Sequence, residues 1–328
     1  MILVTGGGGF IGSHLVEQLV HSGASVRVLE GPTAATGHLP LDRIELMRGD
    51  IRDAGAVREA VRGCQQVYHL AANPNLWTRV RSDFDAVNYR GARNVLGEAL
   101  KAGVERVLHT STESILASAR VNGQPVETLR LDHGRFIGPY CQSKLKGEQE
   151  AFRLADAGAP VIVACPTLPI GPGDHNLTPP SRMTLAFCQG KLPAYLDCQF
   201  NMIDARDIAT GLRSAMRVGR PGIRYLLGGV NLRLIEWLTI VGRIVGREAP
   251  RLAVPYPFAL LLAHASEWVA DHLTGRMPMA TVTGVKLTRY SMHFDMENSR
   301  RLLDLPARRV EDSARDAIAW FRHKGLLK

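Results

Sequence analysis

The chain has 328 residues, 45% of them hydrophobic and 22% charged. That length and balance exclude disorder and a disulfide-stapled miniature fold, and suit one large domain with a smaller lobe. Forty Lys and Arg against 31 Asp and Glu leave a net charge of +9, with no run of five basic residues. Scattered charge of this kind reads as a solvated basic surface rather than a nucleic-acid stripe. The five cysteines are odd in number and none lies in a CxxC pair, so neither a disulfide framework nor a metal site is expected. Reduced thiols suit a cytoplasmic protein. The chain opens on the apolar Ile2–Val4 without a basic leader, so no signal peptide is expected. The apolar run Phe258–Ala263 is far below the roughly 20 residues of a membrane span.

In chain order, strands are predicted at Met1–Thr5, Ala24–Glu30, Ile44–Arg48, Gln66–Leu70, Arg106–Thr110 and Val161–Cys165. Helical patterns fall at about Ile11–His21, Ala54–Val61, Asp83–Ala102 and Tyr140–Ala155. Such alternation predicts an α/β fold, a Rossmann-type doubly wound parallel sheet. The Pro- and Gly-rich stretch Pro166–Pro180 reads as a long functional loop. Helices follow near Ser181–Gln189, Asp207–Val218, Leu234–Val245, Phe258–Leu273 and Glu311–His323. The expected division is a nucleotide-binding domain, 1–170, with returning segments near 200–228 and the C-terminal helix. A smaller α/β substrate lobe takes 171–199 and 229–310.

Between the first strand and first helix lies Val4-Thr5-Gly6-Gly7-Gly8-Gly9-Phe10-Ile11-Gly12. Glycines there allow a tight turn and let a pyrophosphate approach bare backbone, with the helix N-terminus offering unpaired N–H groups. Gly6, Gly9, Phe10, Ile11 and Gly12 are therefore cofactor-binding candidates. Glu30 ends the second strand, where a carboxylate accepts from ribose hydroxyls and repels a 2′-phosphate, so NAD is expected over NADP. Arg27 is close in sequence but strand alternation turns it away. Asp50 and Ile51 fall where an adenine would rest. Asp50 reads equally well as a cap for the helix that begins near Asp53.

Tyr140-Cys141-Gln142-Ser143-Lys144 is Y-x-x-x-K, which places phenol and ammonium on one helical face. A lysine ammonium beside the phenol would favour the phenolate and make Tyr140 a usable acid or base near neutral pH. Thr110-Ser111-Thr112 ends a strand between the two motifs.

Together with His69-Leu70-Ala71-Ala72, Val87-Asn88 with Gly91, and Cys165-Pro166, these segments give the whole chain a resemblance to the extended short-chain dehydrogenase/reductases of the NAD-dependent epimerase/dehydratase type. Within that group it resembles the hopanoid-associated sugar epimerases and the dihydroflavonol-4-reductase-like and 3β-hydroxysteroid dehydrogenase-like members. The resemblance implies that Tyr140 exchanges a proton with the substrate oxygen. It also implies that Lys144 holds the nicotinamide ribose and that Thr112 hydrogen-bonds the substrate. Leu70, Ala71, Ala72, Asn88, Thr110 and Pro166 would join the cofactor site.

Departures from the family pattern narrow the substrate. In Ser111-Thr112-Glu113-Ser114, Glu113 fills the acid position of sugar dehydratases, but Ser114 replaces the base, so dehydration is disfavoured. Glu113 is then either an acid/base or a simple capping carboxylate. Phe200 stands where nucleotide-sugar enzymes carry a diphosphate-clamping arginine. Asn73, Trp77, His175 and Asn176 are further substrate candidates. Tyr256–Trp268 is either a lipid-facing mouth or an ordinary amphipathic helix on the core.

The expected function is NAD-dependent hydride movement at a secondary alcohol or ketone of a hydrophobic or lipid-linked small molecule. The alternative is a nucleotide-sugar 4-epimerase with tightly bound NAD. A homodimer through the helices near 83–102 and 140–155 is expected. So are no nucleic-acid partner, no integral membrane segment and at most peripheral membrane contact.

Overall fold

Short runs rich in Val, Ile and Leu build the central layer. The computed structural model describes residues 1–118, 126–131, 137–290 and 292–328. The first half runs β1 (Ile2–Thr5), α1 (Phe10–His21), β2 (Val26–Glu30), β3 (Ile44–Arg48), α2 (Ala54–Val61) and β4 (Gln66–His69). It continues with α3 (Ser82–Phe84), a π-helical segment Asp85–Gly91, α4 (Ala92–Lys101), β5 (Arg106–Thr110), α5 (Ser114–Ser118), α6 (Gly138–Asp156) and β6 (Val161–Pro166). Next come β7 (Leu168–Ile170), α7 (Pro179–Cys188), β8 (Ala194–Tyr195), β9 (Gln199–Asp204), α8 (Ala205–Val218) and β10 (Arg224–Leu227). The chain ends with β11 (Val230–Arg233), α9 (Leu234–Val245), β12 (Leu252–Ala253), α10 (Tyr256–Val269) with a π-helical extension Ala270–Thr274, α11 (Val282–Leu287), α12 (Glu297–Leu303) and α13 (Val310–His323).

Seven strands form one sheet in the order β10-β6-β5-β4-β1-β2-β3, every pair parallel. Chain order reverses between β1 and β4, and the crevice at that switch point is where such sheets bind ligands. Parallel strands covered on both faces must be apolar throughout. Accordingly Leu3, Val4, Val67, Val107, Leu108 and Val161 to Cys165 are wholly buried. One core packs α1 and α8 against the sheet, and a second packs α2, α4 and α6 on the other face.

The stretch Pro166–Pro180 differs from the expected loop. Leu168–Ile170 forms β7, which pairs in parallel with β9, and β9 pairs antiparallel with β11 to make a second, three-stranded sheet. Alternating prolines hid a strand only three residues long. The strand β10 was also missed. Its Arg224 is fully buried, which masks the apolar signature. Its guanidinium pairs with the equally buried Glu148 of α6 at 2.5 Å.

The helix expected at Asp83–Ala102 is helical over most of that length but widens to a π segment around Asn88. There Asn88 Oδ1 accepts from the Asn73 amide at 2.8 Å and Nδ2 donates to Ser143 Oγ of α6 at 3.0 Å.

Candidate functional site

A cleft of about 1260 Å³ runs over the carboxyl ends of β1, β4, β5 and β6 and continues between the sheet and the segments α7, β8 and α10–α11. Its lining includes Gly6, Gly9, Phe10, Ile11, Gly12, Glu30, Asp50, Ile51, Leu70, Ala71, Ala72, Thr110, Thr112, Glu113, Tyr140, Lys144 and Pro166. Residues separated by up to 160 positions in sequence thus share one surface, because each strand delivers its C-terminal loop to the same edge.

The glycine loop is tight. A Cβ on Gly12 would sit 2.1 Å from the Gly6 carbonyl oxygen, and one on Gly6, whose φ is +75°, would sit 2.6 Å from the Ala71 amide nitrogen. Helix α1 starts at Phe10 with Gly9 as its cap and no side-chain capping bond, so its first-turn amides face the cleft free. Glu30 is buried beside the loop and accepts from the Gly8 amide at 2.5 Å. Burial pushes its carboxyl above the ordinary value, partly offset by the Gly8 and Gly31 amides.

The nearby Arg48 guanidinium is spent on the Gly31 and Ala34 carbonyls and the Thr36 hydroxyl. Arg27 is spent on Glu45 at 3.0 Å and on the Ala60 and Arg62 carbonyls. Neither guanidinium is free for a 2′-phosphate, while the anionic floor at Glu30 suits ribose hydroxyls. Asp50 lines the cleft but does not cap α2: Asp53 is the cap and accepts from the Gly55 amide at 2.8 Å, while the Asp50 carboxylate binds Arg52, which holds it below the usual range.

At the other end of the cleft stand Thr110, Ser111, Thr112, Glu113, Tyr140 and Lys144. The hydroxyls of Thr110 and Ser111 are buried with no hydrogen-bond partner among the described residues. An unpaired buried hydroxyl costs stability unless a ligand completes it. With the bare glycine cradle, these orphan hydroxyls make the residues present a good fit for a dinucleotide.

Lys144 donates from Nζ to the Thr110 carbonyl at 2.7 Å, and burial lowers its pKa to about 8. Behind it lie His69 and His109, ring centroids 5.4 Å apart, both fully buried and held neutral by desolvation. Tyr140 is buried and lines the cleft beside Thr112; desolvation raises its pKa above that of a free phenol, partly offset by the Thr112 hydroxyl. The expected phenolate is therefore corrected. The Lys144 ammonium points to the Thr110 carbonyl and burial dominates at the phenol, so Tyr140 stands as a protonated donor in the free site. Thr112 Oγ1 also donates to Glu113 Oε2 at 3.1 Å, and burial raises the Glu113 carboxyl to about 7.

Of the proposed substrate residues, Asn176 and Phe200 line the cleft. Trp77 does not. It is buried, its Nε1 donates to Asp271 at 3.0 Å and Arg81 lies over its ring, so it pins the loop after β4 to the π-helical extension of α10. His175 stacks on His38 at 3.9 Å and meets Trp320 edge-on, outside the cleft. Asn73 and Asn88 also sit behind the wall, bonded to each other and to Asn75 and Ser143. Sequence reasoning missed Arg182, Leu192, Leu196, Met277 and Met279, all cleft-lining; Leu262, from the segment read as a lipid-facing mouth, lines it too. The apolar members carry no motif, and only the tertiary fold brings them together.

Residues 2–228 match the NAD dependent epimerase/dehydratase family. A Synechocystis protein that carries the provisional name dihydroflavonol 4-reductase is 34% identical, over 99% of this chain and 95% of its own. Sterol demethylase protein B of Methylococcus capsulatus is 28% identical over 99% of each chain. The crystal structure of gox2253 superposes with a TM-score of 0.86 at 32% identity, covering 100% of this chain and 99% of that one. The chain belongs to the NAD dependent epimerase/dehydratase family, within the extended short-chain dehydrogenase/reductases. It is an NAD-dependent enzyme of the oxidoreductase/epimerase type.

Proposed function

We propose that the protein is an NAD-dependent dehydrogenase or reductase acting at a secondary alcohol or ketone carbon of a hydrophobic, lipid-like substrate. The observation that carries this reading is the Tyr140–Thr112 hydroxyl pair, which lies between the glycine cradle and a half of the cleft lined by Leu192, Leu196, Phe200, Leu262, Met277 and Met292. NAD, when bound, supplies the hydride acceptor or donor.

Tyr140 gives its phenolic proton to the substrate oxygen as a carbonyl is reduced, or takes one as an alcohol is oxidised. Thr112 turns its one hydroxyl proton from Glu113 to the same oxygen and then accepts from the protonated Glu113. Lys144, anchored on the Thr110 carbonyl, presents its ammonium to the ribose side and supports the phenolate that forms. Glu113, bonded to Thr112 and poised near 7, stores the replacement proton. Gly6, Gly9, Phe10, Ile11, Gly12, Glu30, Ile51, Leu70, Ala71, Ala72 and Pro166 seat the dinucleotide in this account.

The apolar Phe200 in the cleft wall weighs against a nucleotide diphosphate, and sterol chemistry in the name of one relative supports an apolar substrate. Leu262, Met277 and Met279 line the cleft, and Phe258, Leu261, Trp268 and Leu273 of α10 and its extension are exposed. No helix among the described residues is long and apolar enough to cross a membrane. In this account that face rests on a lipid surface while substrate enters, and α4 and α6 form a homodimer face.

The test is the nucleotide that survives purification. The extensively dialysed protein is denatured and released nucleotide is identified by chromatography. Nucleotide-free protein that binds NADH more tightly than NADPH supports an exchangeable cofactor and this reading. Stoichiometric retained NAD favours the nucleotide-sugar 4-epimerase instead.

A further inference from the structure

Helix α7 carries a cation into the apolar half of the cleft. Arg182, half-buried, lines it together with its neighbours Thr178 and Met183. Its guanidinium has one hydrogen-bond partner among the described residues, Asn75 Oδ1, at 3.3 Å. No carboxylate among the described residues comes within ion-pair distance. Asp174, the one whose field reaches it, is fully buried and uses Oδ2 to accept from Thr178 at 2.5 and 2.7 Å. Arg182 therefore has most of its five donors open to the cleft. A guanidinium half-removed from water and left unpaired is costly, and an anion that completes it recovers that cost.

We propose that Arg182 is an anion subsite that takes the carboxylate of an amphipathic hydroxy- or oxo-acid. The apolar part of that acid lies along the cleft wall, and its alcohol or ketone carbon reaches Tyr140. This rests on reading the cleft as the substrate site. The number of cations selects a single carboxylate over a diphosphate. Among the described residues the lining holds, besides Arg182, only Lys144 and Lys191 as cations; Lys144 is bound to the Thr110 carbonyl and Lys191 is exposed. A planar guanidinium matches one carboxylate by two parallel bonds. The pyrophosphate of the cofactor is the other source of negative charge, and its seat is the glycine loop at the opposite end of the cleft.

The test is binding of dodecanoate and of 1-dodecanol, both below micelle-forming concentrations, to the NADH-bound enzyme by calorimetry. Wild type is compared with Arg182→Met and Arg182→Lys. Dodecanoate is expected to bind wild type more tightly than dodecanol. Arg182→Met is expected to weaken dodecanoate by roughly 10- to 100-fold, the worth of a charge-assisted pair, and to leave dodecanol unchanged. Arg182→Lys should restore part of the loss, which a folding defect would not allow. Equal affinity of wild type for acid and alcohol, or equal losses for both in Arg182→Met, would overturn the proposal. So would a weaker NADH affinity in Arg182→Met, which would put the guanidinium against the cofactor. Binding of neither amphiphile by wild type would overturn the reading of the cleft, and the subsite with it. The measurement needs no turnover, so failure of the Tyr140 chemistry alone would leave it intact.

Discussion

The Glu30 carboxylate accepts the Gly8 amide at 2.5 Å, joining the end of the second strand to the glycine loop that precedes α1. One side chain thus fixes the loop and leaves its charge at the floor of the cleft. Glu30→Ala is expected to raise the Kd for NADH by about 10-fold, on the scale of one lost charge-assisted hydrogen bond, and to narrow the NADH-over-NADPH preference. Fluorescence titration with both nucleotides checks this. An unchanged NADH Kd would remove Glu30 from the cofactor site.

Glu113 gives a pH dependence of definite sign. Burial raises its carboxyl to about 7, against 4.5 for an unperturbed glutamate. Ketone reduction draws on the protonated form through Thr112 and Tyr140, so its kcat is expected to fall as pH rises through about 7. In Glu113→Gln that inflection should vanish from the profile. Stability follows the same proton. Between 4.5 and about 7 the folded state binds more protons than the unfolded one, so stability falls as pH rises across that window and levels off above it. Urea unfolding midpoints across the window should slope less in Glu113→Gln.

The buried pair of Arg224 and Glu148 predicts a large one-sided effect. Arg224→Met leaves the Glu148 carboxylate buried without its cation, and the expected cost is about 3–5 kcal/mol. Adding Glu148→Leu should recover most of that cost, because the unpaired charge is then gone. Chemical denaturation of both variants tests this; a mild single-variant loss would contradict it.

Much of the nucleotide half was legible because its signals are local. Glycines with no room for a Cβ, β-branched buried strands and the i, i+4 pair Tyr140 and Lys144 are all written in neighbouring residues. Features set by distant partners were not legible. Trp77 and His175 looked like substrate groups until Asp271 and His38, far away in sequence, claimed them. The strand at Leu168–Ile170 was hidden because its pairing depends on β9, over 30 residues on. Arg182 carries no motif; its meaning lies in the carboxylate it lacks.

The central claim is that Tyr140 protonates the oxygen of a carbon that exchanges hydride with NAD. The direct measurement is transfer of deuterium from NADH deuterated at the nicotinamide C4 position to an amphipathic ketone, followed by mass spectrometry in wild type and Tyr140→Phe. The account predicts label on the carbinol carbon, and a rate in Tyr140→Phe lower by roughly 100- to 10,000-fold with NADH binding unchanged. Transfer at the wild-type rate by Tyr140→Phe would contradict it, as would a product that carries no label.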